Sequence, residues 1–180
     1  MYLKIFLNLI LIYILAVWQI SFAAALPFGM NNFNLVLVCL IFILMLSGFR
    51  LSLWWTLGAG FLLDTYSFLP FGIYLISLFL TVLLANFLLA NFFTDRSLYS
   101  FLALTFFSTL FYSFLFYLLA YLFSFPEIRI SILGAKDFWL ALGYQLFFNL
   151  LSVFLLFYVV SFASKRLKPV FLERPFNKHF

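Results

Sequence analysis

Ser52, Thr56, Gly60 and Asp64 recur at every fourth residue. On a helix they form one narrow ridge of small and polar groups that ends in a carboxylate. Leu53, Trp54, Leu57, Phe61 and Leu62 occupy the other sides, and Pro70-Phe71-Gly72 follows after a short link. Small residues on an apolar helix let a second helix approach closely. An acid at bilayer depth costs about 2.5–3.5 kcal/mol on insertion scales, so it is kept for a reason. The ridge therefore reads as a surface for another helix, of this chain or of a partner. Asp64 has two readings. Either it sits at the outer interface and caps a helix end, or it is buried against a group from a neighbouring helix or a partner protein. Arg50 is not its pair along one straight helix, because 14 residues separate them by roughly 21 Å.

Further polar groups fall inside apolar runs. Gln145 and Asn149 share a helical face with Ala141 and Ser152. Ser77, Thr81 and Ala85 make a second ridge with Asn86 beside it, and Thr105, Thr109 and Ser113 make another. Such amides usually join helices, at about 0.6 kcal/mol per bond. A ligand pocket built from Gln145, Asn149 and Asp64 is the alternative. The single cysteine, Cys39, reads as a small buried hydrophobe. The single histidine, His179, lies in a polar tail. With one of each there is no metal-ligand spacing and no Ser/His/Asp or Cys/His couple. Asp64 stands alone in the spans. The expectation is a protein without enzymatic activity, metal or cofactor.

The elements that hold these groups belong in a membrane. The chain is 68% hydrophobic and 8% charged, with a mean hydropathy of +1.23. A soluble domain is nearer 45–50% apolar with about a quarter of its residues charged. The apolar runs predict an all-α, polytopic membrane domain over 1–164, with spans at about 5–25, 33–49, 51–69, 71–93, 97–125 and 138–164. A basic tail occupies 165–180. The third helix reads as short or broken: Leu51–Leu63 is 13 residues, roughly 20 Å, against a hydrocarbon core of about 30 Å. It either continues past Asp64 towards Leu69 or gives way to irregular backbone before Gly72. A rival reading of residues 5–25 is a signal peptide, since Ala23-Ala24-Ala25 resembles a cleavage site. No convincing internal repeat is present.

Six spans put both termini on one side. That side carries Lys4, Arg50, Arg96, Lys165, Arg166, Lys168, Arg174 and Lys178, and the other only Arg129 and Lys136. Eight against two predicts cytoplasmic termini by the positive-inside rule. The net charge of +5 is then mostly topology and contact with anionic lipid. The basic residues are too scattered for nucleic acid. Trp54 and Trp55 near Arg50, and Trp139 near Asp137, suit opposite interfacial belts.

Three segments together carry a resemblance: Ser47-Gly48-Phe49-Arg50, then Gly58-Ala59-Gly60-Phe61-Leu62-Leu63-Asp64, then Leu69-Pro70-Phe71-Gly72. They resemble the rod shape-determining protein MreD family, which commonly shows a Gly-Phe…Gly-Leu-Leu-x-Asp run, a proline- or glycine-rich link and a Leu-Gly. The strong part covers about 26 residues, and length, span number and tail also agree. The resemblance implies a scaffold subunit of the bacterial cell-elongation machinery in the cytoplasmic membrane. Such a subunit associates with a single-span (bitopic) MreC-like protein and, through it, with MreB-like filaments and peptidoglycan synthases. Asp64, Gly60, Thr56, Ser52, Pro70 and Gly72 would then serve docking or structure. Family members are similar in fold to the S components of energy-coupling-factor vitamin transporters. A small-solute binder of that kind is the alternative function.

Overall fold

Every long apolar run forms a helix, because at membrane depth a backbone must satisfy its own hydrogen bonds. The computed structural model describes residues 2–21, 25–27, 30–93, 97–123 and 135–166. These contain six α-helices and no strand: α1 Tyr2–Ser21, α2 Leu35–Ser47, α3 Phe49–Tyr66, α4 Ile73–Asn91, α5 Leu98–Phe123 and α6 Ala135–Arg166, with one 3-10 turn at Met30–Asn32. The chain is an all-helical bundle of the polytopic membrane type. Ile73–Asn91, Leu98–Phe123 and Phe138–Val160 are long and apolar enough to cross a membrane, and Phe6–Ser21 and Leu35–Ser47 are shorter apolar helices. Ala23 and Ala24 of the cleavage-like triplet, Asp95 and Arg96, Glu127 and Arg129, and the tail from 167, including His179, lie outside the described residues.

Helix α2 is the centre. It packs against all five other helices. Val36, Leu37, Val38, Leu40, Ile41, Phe42, Leu44 and Met45 are buried, which leaves almost no side of it for lipid. At 13 residues it spans only about 20 Å. Protein covers it, so its length need not match the bilayer. The third helix is short as expected: α3 runs 18 residues, Phe49–Tyr66, about 27 Å, against a hydrocarbon core of about 30 Å. The apolar run was counted between charges, and neither charge stops the helix. Arg50 is exposed at its start and Asp64 is held within it, as shown below. The link to α4 is then irregular from Ser67 to Gly72.

One residue, Gly48, joins α2 to α3. Its φ of 95° with ψ of 171° lies where a Cβ would be strained. Its N–H closes α2 by donating to the Ile43 and Leu44 carbonyls. The chain therefore reverses at once and lays α3 on α2. Around this pair, α4 packs on α3, α5 on α4 and α6 on α5, while α1 lies against α3. Ile12 and Ala16 of α1 are buried, so α1 contributes to the bundle's core. The outer surface is apolar: Leu57 and Phe61, Leu80 and Phe87, Phe114, Phe147 and Phe154 are all exposed. Water would not tolerate so large an apolar patch, and lipid does.

Candidate functional site

The ridge of α3 is buried within the chain. Ser52 and Thr56 are fully enclosed and Asp64 is 3% exposed. Ser52 Oγ donates to the Leu40 carbonyl of α2 at 3.3 Å, and Thr56 Oγ1 donates back to the Ser52 carbonyl at 2.7 Å. At Gly60, α4 takes over. A Cβ on Gly60 would stand 2.8 Å from Leu75 Cα, which is backbone and cannot swing aside. Gly60 thus lets the first turn of α4 lie directly on α3.

That close approach brings the start of α4 to Asp64. Asp64 Oδ1 accepts from the Tyr74 N–H at 2.9 Å, and Oδ2 accepts from the Leu75 N–H at 3.0 Å. The first amides of a helix have no partner inside it. The preceding residue normally caps them, but here that residue is Gly72, left-handed at φ 104° and without a side chain. Asp64 supplies the cap from the neighbouring helix. Such caps contribute about 0.5–2 kcal/mol, and negative charge at a partly buried helix N-terminus contributes up to about 2 kcal/mol. The link is fastened to the same point: Ser67 N–H and Oγ both donate to the Asp64 carbonyl, at 3.4 and 3.2 Å. Of the two readings of Asp64, the structure combines a part of each. The acid is buried, and its partners are the amides of a neighbouring helix end in this chain. The ridge is filled by α2 and α4, so the outward face of α3 is the one carrying Trp54, Leu57 and Phe61.

A second set of polar groups forms a layer between α1, α2, α5 and α6. Asn149 is fully buried. Its Oδ1 accepts from the Asn34 N–H at 3.1 Å, and its Nδ2 donates to Thr109 Oγ1 at 3.1 Å. Asn34 Oδ1 caps α2 by accepting from Leu37 N–H at 2.9 Å, and Tyr112 of α5 is buried. Gln145 Oε1 accepts from Ser113 Oγ at 2.7 Å. From α1, Gln19 Nε2 donates to the Phe33 carbonyl at 2.7 Å and Gln19 Oε1 accepts from Leu35 N–H at 2.8 Å. The layer seals the N-terminus of α2 with side chains from three other helices. Gln145 and Asn149 belong to it together. Asp64 does not bond to them, and Asn86 is half-buried on α4, outside the layer.

Gln19, Asn34, Tyr74 and Tyr112 were not singled out by sequence. Asn34 had a usable signal, since Asn just before an apolar run is a helix N-cap pattern. Gln19 had none, because its partners are backbone groups across a turn. Trp54 is exposed, while Trp55 is half-buried and its Nε1 is enclosed without a partner. Among the described residues no cluster of three or more His, Cys, Asp or Glu could hold a metal ion. The site's polar atoms bind backbone ends and one another, and its chemistry is that of helix joining. Comparison with protein-family models, curated proteins and solved structures finds no match to this chain.

Proposed function

We propose that the chain is a non-enzymatic scaffold subunit of the bacterial cell-elongation machinery, similar in role to the MreD family. In this reading it crosses the cytoplasmic membrane six times, keeps both termini in the cytoplasm and docks a single-span protein of MreC type. MreB-like filaments and peptidoglycan synthases are reached through that partner. One observation carries the reading. The residues of the resemblance, scattered over 48–72, assemble into one unit in which Gly48 turns α2 into α3, Gly60 admits α4, and Asp64 caps it across Pro70 and Gly72. A motif that builds a helix hairpin suits a protein whose product is a shape. With the ridge occupied internally, the partner meets the outward face of the hairpin at Trp54, Leu57 and Phe61. Asp64 then acts by keeping that face in place. The tagged protein should co-purify with a single-span partner, and Asp64→Leu should lose it.

The second reading, a vitamin-binding S component, is favoured by the buried amides at Asn34, Gln145 and Asn149. A binder needs polar groups that converge on its ligand, and these are taken up by Ser113, Thr109 and backbone amides of α2's first turn. Thermal-shift screening of vitamins separates the two. A binder's melting temperature rises with ligand concentration, whereas the scaffold responds to none of the panel.

A further inference from the structure

The link between α3 and α4 has an uncharged, aromatic outer surface. Residues 65–94 carry no charged side chain. The two aliphatic hydroxyls at this end fold back onto α3: Thr65 Oγ1 donates to the Phe61 carbonyl at 2.7 Å and Ser67 Oγ to the Asp64 carbonyl. Asp64 itself is spent on the amides of Tyr74 and Leu75. What points outward is aromatic. Phe68 is fully exposed, at 102% of the reference area, with Phe71 at 64% and Tyr66 at 53%. The Phe71 ring stands edge-on to Phe61, centroids 5.7 Å apart, and Phe61 belongs to the exposed apolar face of α3. On the other side an apolar cleft of about 190 Å3 opens between Phe71, Ile73 and Ile76 of the hairpin and Leu119 and Phe123 of α5. The link is therefore continuous with the lipid-facing surface on both sides.

The depth follows from length. α4 begins at Ile73 and has 19 residues, about 28 Å, so it needs its whole length to cross a hydrocarbon core of about 30 Å. The link then lies at the boundary of that core. Backbone makes the same demand. Ser67–Leu69 is a bend and Pro70 has no N–H. The Phe68 and Leu69 amides have no backbone partner among the described residues. Such groups are not tolerated in hydrocarbon, and headgroups and water can satisfy them. We infer that residues 66–71 form an interfacial anchor, with Tyr66, Phe68 and Phe71 seated among lipid headgroups and upper acyl chains. Tyr favours that layer, and Phe seats at the headgroup–acyl boundary in interfacial segments. The inference holds whichever partner the protein has.

Phe68 touches little, so replacing it does not disturb the bundle. The test uses the full chain with Cys39→Ala and Phe68→Cys, labelled with a small environment-sensitive fluorophore and reconstituted alone into phospholipid vesicles. A second probe at Leu57→Cys marks the hydrocarbon region. The probe at 68 should lose emission with lipids spin-labelled near the headgroup, more than with lipids labelled at the chain end. It should resist aqueous iodide, and the probe at 57 should show the reverse lipid order. Strong iodide quenching at 68 without lipid quenching would place the link in water and overturn the anchor. Protection from both quenchers would mean that a second copy covers the link, and would overturn it equally. A melting transition like that of the parent shows that the labelled chain is folded.

Discussion

At the residue scale the decisive contacts are those of Asp64 and Gly60. Replacing Asp64 by Leu removes the acceptor for two part-buried amides and puts an apolar group in its place. Each buried donor left unpaired costs about 1–3 kcal/mol, so Asp64→Leu should lower the melting temperature in detergent clearly. Asp64→Asn keeps one acceptor oxygen and should lose less. Equal melting of all three proteins would remove the cap from this account. The glycines make a graded series. Gly60→Ala drives a methyl into the Leu75 backbone and should cost about 1–3 kcal/mol as an overpacked contact. At Gly58 the added methyl meets only the flexible Ile12 side chain, at 3.2 Å, and the cost should be smaller. Gly143 has open space around it, so Gly143→Ala should be neutral or stabilise the helix by up to about 1 kcal/mol. Thermal unfolding of the three variants checks the order.

At the element scale, the helices themselves were legible. Twenty-odd apolar residues in a row leave one outcome in a membrane, and each of the six apolar runs overlaps one of the six helices. The ridge at every fourth residue was also readable as a helix-packing face. Three things were not legible. The shortness of α2 depends on its being surrounded, which no local pattern states. The role of Asp64 depends on the start of α4, brought near by a bend whose geometry sequence does not specify. The bonds of Gln145 and Asn149 were readable as helix glue, but their partners, Ser113 for the one and Asn34 with Thr109 for the other, need three dimensions. The layer makes its own prediction. Asn149→Leu leaves the Asn34 amide and Thr109 without their partner and should cost about 1–2 kcal/mol, the upper part of the range for hydrogen bonds between membrane helices. Asn86→Leu lies outside the layer and should change stability far less. Side-by-side unfolding of the two variants tests whether the layer acts as described.

At the scale of the whole molecule, the bundle holds its polar groups inside and shows lipid an apolar coat. The proposed role follows from that: a rigid membrane surface on which a single-span protein is held, with the α3–α4 hairpin as its firmest part. Asp64 then affects binding through the geometry of the outward face at Trp54, Leu57 and Phe61, so loss of the cap should disturb binding even though the acid touches no partner. Capture of the tagged protein from its native membrane tests this most directly, with Gly143→Ala as a control outside the hairpin. The account predicts that a single-span membrane protein is retained by the unaltered chain and by Gly143→Ala, and is lost from a correctly inserted Asp64→Leu. Isolation of the unaltered chain alone from that membrane, with cells keeping their shape when it is depleted, would contradict it.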